Sequence, residues 1–237
     1  MYIQLIVTAK RALRNEMTYN KPAVIIHTCD KSPYIDIWDR FVEAFEYYFP
    51  FELEWPIYWV NEEINFGWGH AKQIKTGKGE WSDRLKIALN QIPEEHILYL
   101  QEDFIIQNIN KSLLVQAYDI HSRENDITKL ANNYEFTTRK INNKFVDDGI
   151  IKLPIVYQNT GLYLMSHQPV AFFNKQFLLS TLEKSYGPSE HEMDISKQID
   201  YEKSRMIPYI MCIGNVYYPN KSDIITIHHA IRKGQFI

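Results

Sequence analysis

The chain has 237 residues, 45% of them hydrophobic and 23% charged, with a formal net charge of −3. That length suits one large α/β domain or two small ones, and the lack of a broad basic field argues against nucleic acid as the main partner. Its cysteines, Cys29 and Cys212, stand far apart with no paired spacing, which argues against a disulfide framework or a cysteine-rich metal site and suits a reducing compartment.

From the start of the chain, the Ile3 to Thr8 run is too short for a secretory apolar core, and no apolar stretch is long enough to span a bilayer. The expectation is a cytoplasmic protein, with peripheral attachment at the inner face of a membrane compatible with it. Ala23-Val24-Ile25-Ile26 is a continuous apolar run, as in a strand covered on both faces, and it ends in His27-Thr28-Cys29-Asp30. Asp36 then precedes a helix whose apolar positions Ile37, Phe41, Phe45 and Phe49 recur every fourth residue, and Pro50 closes it. Ile57-Tyr58-Trp59-Val60 reads as a second strand ending at Asn61. After a glycine-containing stretch, Ser82 caps a predicted helix with Leu85, Ala88, Leu89 and Ile92 on one face, and Pro93 stops it before the strand Ile97-Leu98-Tyr99. Strands and helices alternating at this spacing imply right-handed crossovers and a parallel sheet.

The second half is less regular. Helices are expected over Lys111 to His121, Asn174 to Lys184 and 190–200, and strands over Ile127 to Leu130 and Gly161 to Ser166. Asn132 to Asp148 reads as a hairpin or excursion. Ile207 to Ile213, Val216 to Tyr218 and Ile224 to Ile227 read as antiparallel strands near one edge. The predicted fold class is therefore α/β: a mainly parallel sheet flanked by helices, with a smaller antiparallel extension. No internal repeat or linker divides it, which favours one continuous domain over 1–237.

Chemistry is expected where strands end. Leu100-Gln101-Glu102-Asp103-Phe104 brings adjacent carboxylates to the carboxyl end of a strand, where ligands of open α/β sheets sit. Such a pair is costly unless a divalent cation or a basic side chain meets it; the bland alternative is a solvated turn. Thr28, Asp30 and Asn61 end neighbouring strands and offer hydrogen bonds suited to a nucleobase or ribose, although Asp and Asn also serve plain turns. Arg84 lies in the first turn of a helix, where backbone N–H groups already attract anions, and it offers either a forked donor for a diphosphate or a partner for Asp83 or Glu80. Ser189-Glu190-His191-Glu192-Met193-Asp194 surrounds a histidine with carboxylates, one of which could serve as a general base, or else forms an acidic helix start. Near the end, His228-His229 and Arg232-Lys233 could clamp a metal diphosphate or simply fray. Neither a phosphate-binding loop of the Walker type nor a GxGxxG fingerprint is present.

This ordered set resembles a group of nucleotide-sugar-dependent glycosyltransferases of the GT-A fold, of the kind found in bacterial surface-polysaccharide loci. The matching stretches are His27-Thr28-Cys29-Asp30 with Tyr34, Trp38 and Phe41; Trp81-Ser82-Asp83-Arg84-Leu85; and Leu98 to Phe104. Ser166-His167-Gln168-Pro169 with Phe173, Phe177 and Leu178, the Ser189 to Asp194 block and Ala230-Ile231-Arg232-Lys233-Gly234 complete it. The resemblance implies transfer of a sugar from a nucleoside diphosphate sugar to a hydroxyl of a glycan or lipid-linked acceptor, with inversion, in cell-surface polysaccharide synthesis. It puts Asp103 at the position that binds a divalent cation (Mn or Mg) and Glu102 in the middle of the family's acidic motif, with Gln101 replacing its first Asp. Thr28, Asp30, Asn61, Arg84, Glu102, Arg232 and Lys233 would then serve the donor, and Asp194 or Glu192 would be the base. The family block has an aromatic residue where His191 stands and Glu where Asp194 stands. Residues 1–131 would form the nucleotide-binding half and 132–237 the acceptor side. The alternatives are a sugar-phosphate nucleotidyltransferase, which would carry a glycine-rich loop after the first strand, and a non-catalytic nucleotide- or carbohydrate-binding module.

Overall fold

The structure, a computed structural model, describes residues 21–123, 127–131, 150–154, 171–198, 209–213, 225–232 and 235–236. Its first half alternates as the sequence predicts, with one added strand, β3: β1 (Ala23–His27), α1 (Trp38–Tyr48), β2 (Ile57–Asn61), β3 (Lys72–Lys75), α2 (Trp81–Leu89) and β4 (His96–Gln101). Strand β1 runs parallel to both β2 and β4, and β2 runs parallel to β3. The strand β5 (Phe104–Ile109) follows β4 directly and is succeeded by α3 (Lys111–Arg123) and β6 (Ile127–Ala131). Then come β7 (Ile150–Pro154), β8 (Ala171–Asn174), α4 (Lys175–Ser180), α5 (Pro188–Gln198), β9 (Tyr209–Ile213), β10 (Ile225–His229), β11 (Ile231–Arg232) and β12 (Gln235–Phe236).

Among the described residues the main sheet has eight strands in the order β3-β2-β1-β4-β8-β6-β9-β7. Strand β8 lies antiparallel between β4 and β6, β9 is parallel to β6, and β7 is antiparallel to β9. Strands from beyond residue 131 thus continue the same sheet that β1 begins. The continuous apolar runs are explained by burial on both faces. Val24, Ile26, Trp59, Leu98 and Leu100 point to one side, against Trp38, Phe41 and Phe45 of α1. Ile25, Tyr58, Val60, Ile97 and Tyr99 point to the other, against Trp81, Leu85, Ala88 and Leu89 of α2. Successive strand residues face opposite ways, so each run feeds both cores.

Several expectations need correction. Ser82 does not cap α2; the helix begins at Trp81 after the extended Glu80, and Ser82 is buried inside its first turn. Asp36 sits in a 3-10 turn over Ile35–Ile37, and no side chain caps α1, whose first turn continues from that turn. Strand β10 does not extend the main sheet. It pairs antiparallel with β5 in a separate two-stranded sheet. Strands β3, β5, β7 and β8 were not foreseen. The segments Asn132 to Asp148, Gly161 to Ser166 and Val216 to Tyr218 lie outside the described residues.

Candidate functional site

The order 3-2-1-4 sets where a ligand crevice forms. From β1 the chain winds outward through β2 and β3, then returns across to β4 on the other side of β1. Helix α1, which leaves β1, packs on one face, and α2, which returns the chain to β4, packs on the other. The strand order reverses between β1 and β4, so their carboxyl ends form the topological switch point, the place where open α/β sheets hold ligands. Residues Thr28-Cys29-Asp30 leave β1 there, and Glu102-Asp103 make the tight turn from β4 to β5.

Hydrogen bonds tie these ends together. Glu102 is buried, and its Oε1 accepts from the Cys29 backbone N–H at 2.7 Å. Burial, together with the adjacent Asp103 charge, pushes the Glu102 carboxyl well above its ordinary range. Asp103 is half-buried, and its carbonyl accepts from the Ala230 N–H at 2.7 Å. That bond brings the 230–232 segment onto the acidic turn. Tyr34 faces the same place: burial raises its phenol, and the charges of Asp103 and Glu102 add to the shift.

Arg84 is buried, and neither Asp83 nor Glu80 is its side-chain partner. Its Nη1 donates to the Thr28 carbonyl at 2.7 Å, and its Nε lies 3.9 Å from Glu62 Oε1. Glu62, also buried, comes within 3.8 Å of the Cys29 thiol, which burial shifts upward. Asp83 accepts from the Ser185 hydroxyl at 2.6 Å instead. Arg84 thus braces α2 against the ends of β1 and β2.

Asp30 and Asn61 meet each other, with Asn61 Nδ2 donating to Asp30 Oδ1 at 3.1 Å. Asp30 also accepts the backbone N–H groups of Glu62, Glu63 and Ile64 at 3.1, 2.7 and 2.7 Å. Burial raises its carboxyl, but these backbone bonds outweigh burial and leave it below its ordinary value. Asn61 is completed by Gln73 Nε2, which donates to its Oδ1 at 2.7 Å. Together they fold the loop after β2. Thr28 is buried and donates to the Val60 carbonyl at 3.1 Å. Thr28, Asp30, Asn61, Arg84, Glu102 and Asp103 therefore form one connected cluster at the carboxyl ends of β1, β2 and β4, and the first four direct polar atoms at protein partners.

Behind the cluster lies a buried aromatic layer. Trp81 Nε1 donates to the Tyr99 hydroxyl at 3.0 Å, and that hydroxyl lies 3.1 Å from His27 Nδ1. Trp81 also packs on His191 of α5, their ring centroids 5.2 Å apart. His191 is fully buried, and its Nε2 sits 3.0 Å from the Thr181 carbonyl. It is a packing residue. Of the neighbouring carboxylates, Glu190 accepts from the Gly187 N–H at 3.2 Å, Glu192 is half-buried, and Asp194 accepts from Tyr186 and Lys184.

Of the basic tail, Arg232 has its backbone on β11, paired with β12, and Lys233 lies outside the described residues. His228 and His229 belong by backbone to β10. Sequence reasoning did not single out Glu62, Tyr186 or Lys184, and it took Ser82 for a helix cap. Glu62 carried a readable signal, a carboxylate directly after a strand of the parallel sheet. The bonds of Ser82 to Lys184 and Tyr186 gave none, because they join positions about a hundred residues apart.

Among the described residues no three His, Cys, Asp or Glu side chains form a cage that could hold a metal ion. The donor set at the turn does fit a hard divalent cation of the kind that takes one carboxylate and completes its shell with substrate phosphates and water. Asp103, half-exposed beside a buried neighbour, could supply that carboxylate.

No family model and no curated protein matches this chain. Solved structures do match it in shape. Staphylococcus aureus TarS 1–349 in complex with UDP-GlcNAc aligns with a TM-score of 0.53 and 15% identity, covering 91% of this chain and 60% of that one. The mannosyltransferase PcManGT from Pyrobaculum calidifontis, in complex with GDP-Man and Mn2+, gives 0.51 and 12%, covering 97% and 65%. A mycobacterial protein gives 0.56 and 8%, covering 93% and 71%. The chain spans less than two thirds of the length of the first two. At these identities the likeness concerns the fold, and the fold is GT-A-like.

Proposed function

We propose that the protein is a glycosyltransferase that moves a sugar from a nucleoside diphosphate sugar to an acceptor hydroxyl. The observation that carries this reading is the switch point itself. A half-exposed carboxylate, Asp103, stands at the carboxyl end of β4, next to the end of β1, in a GT-A-like sheet. Likeness in fold to a mannosyltransferase bound to GDP-Man and Mn2+, and to TarS bound to UDP-GlcNAc, supports a nucleotide-sugar donor.

The donor would lie across the ends of β1 and β4. Asp30 and Asn61 shape the loop that faces its nucleoside, while Arg84 and Thr28 hold the floor. Asp103 would hold the divalent cation, whose chemistry is to offset the charge that grows on the departing diphosphate. Arg232 and Lys233 lie close in sequence to Ala230 and would supply positive charge from the tail. The acceptor oxygen attacks the anomeric carbon and forms the new C–O bond. The bond from that carbon to the diphosphate oxygen breaks, and its electron pair leaves with the nucleoside diphosphate. The acceptor proton passes to Asp194 or Glu192. A single displacement of this kind inverts the anomeric centre. We place the activity in cell-surface polysaccharide synthesis in the cytoplasm, at the inner face of the membrane. No helix among the described residues is long and apolar enough to cross a membrane. One domain over 1–237 would carry both substrates.

Incubating the protein with UDP-, dTDP- and GDP-sugars, with and without Mn2+, tests this reading. Release of nucleoside diphosphate is expected. Release of pyrophosphate would identify a nucleotidyltransferase, and binding without turnover would identify a binding module.

A further inference from the structure

The loop between α4 and α5 is bound to the first turn of α2 by reciprocal hydrogen bonds. Ser82 N–H donates to the Tyr186 carbonyl at 3.0 Å, and Tyr186 N–H donates to Ser82 Oγ at 2.7 Å. Ser82 Oγ in turn donates to the Lys184 carbonyl at 3.0 Å, and Ser185 reaches Asp83. The same turn of α2 carries Arg84, which grips the Thr28 carbonyl at the end of β1. One helical turn therefore holds the β1 loop on one side and Tyr186 on the other.

Tyr186 uses this anchorage. Its hydroxyl donates to Asp194 Oδ2, and Lys184 Nζ approaches the same oxygen at 3.2 Å. The Tyr186 ring is wedged edge-on against buried His191, centroids 5.7 Å apart. Asp194 itself stays open, its side chain 36% exposed. A carboxylate that must accept a proton from an incoming hydroxyl needs that combination of a fixed direction and an open face.

We infer that Tyr186 is a positioning residue for Asp194, and that the first turn of α2 is the bracket that sets this carboxylate relative to the donor loop. The inference rests on the proposed transferase reading and selects Asp194 over Glu192 as the base. A phenol donating to a carboxylate favours its ionised form, so losing the hydroxyl makes the base easier to protonate. The exposed Lys184 ammonium is screened by water and contributes less.

The test measures nucleoside diphosphate release from the best donor of the UDP-, dTDP- and GDP-sugar panel, with Mn2+, between pH 4 and 9. Wild type, Tyr186→Phe, Lys184→Met, Asp194→Asn and Glu192→Gln are compared, with thermal melting to confirm folding. Phe keeps the ring against His191 and removes only the hydroxyl. The acid limb of the Tyr186→Phe profile should move up by about one pH unit, with roughly tenfold lower turnover below the limb and unchanged donor KM. Lys184→Met should move it less, and Asp194→Asn should lose ~10²–10⁴-fold at every pH. If Asp194→Asn is inactive while Tyr186→Phe titrates as wild type, the positioning role fails and the transferase reading stands. If Asp194→Asn turns over normally and Glu192→Gln does not, Asp194 is not the base and the inference falls. Absence of release from every donor by wild type would overturn both readings.

Discussion

The two sides of the crevice are built by different physics. On the proposed donor side, Arg84, Glu62, Glu102 and Thr28 are withdrawn from water, and Arg84, Glu102 and Thr28 each hydrogen-bond a backbone group. On the acceptor side, the contacts of Lys184, Tyr186 and Asp194 run between side chains at the surface. A buried charge that loses its partner stays desolvated, whereas an exposed one is re-solvated at little cost. The proposed donor side should therefore resist change and the proposed acceptor side should accept it.

That contrast can be broken by parallel substitutions. Arg84→Ala should cost the most, about 3 kcal/mol or more in urea unfolding, because Glu62 and the Thr28 carbonyl both lose a buried cationic partner. A loss below about 1 kcal/mol would mean that the donor side is as tolerant as the acceptor side. Asp30→Asn comes next, at about 1–2 kcal/mol, since the Glu63 and Ile64 N–H groups lose a charged acceptor. Its pH dependence sharpens the point. The folded carboxyl lies below its ordinary value of 3.8. Its stabilising contribution is thus complete above the unfolded value and disappears as the pH falls through the folded one. Urea titrations from pH 6 to 2.5 should converge for wild type and Asp30→Asn only at the acid end. Glu102→Gln should have the opposite sign. Its carboxyl is held above the ordinary range, so wild type pays a growing penalty as the pH rises past the unfolded value. The amide can keep the bond from the Cys29 N–H and should narrow or reverse the stability gap toward pH 9. Lys184→Met, on the acceptor side, should leave the urea midpoint unchanged.

How much was legible beforehand follows the same division. Strands β1, β2 and β4 were readable because burial on both faces leaves unbroken apolar runs, and α1 and α2 because their apolar stripes recur at helical spacing. Strand β3, Lys72-Gln73-Ile74-Lys75, was not, because an edge strand buries only Ile74. Strand β5 was lost because a two-residue turn separates it from β4, with no glycine or proline to mark a break. The grouping of Thr28, Asp30, Asn61, Arg84, Glu102 and Asp103 followed from strand ends and one helix start. Their partners did not: Arg84 meets Glu62 and the Thr28 carbonyl rather than its sequence neighbours, and Arg84 and Glu62 are both buried. On the acceptor side the pairing of Ser82 with Tyr186 spans a long stretch of chain, and no local pattern encodes it.

The most direct test of the transferase reading is nucleoside diphosphate release from the sugar-nucleotide panel by wild type and Asp103→Asn, each with and without Mn2+. Asn preserves size and removes charge, so the fold should persist while Mn2+-dependent release falls by a factor of a hundred or more, on the order expected when a charge-stabilising group is lost. Wild-type rates from Asp103→Asn, with the same response to Mn2+, would contradict it and return the acidic turn to a purely structural role.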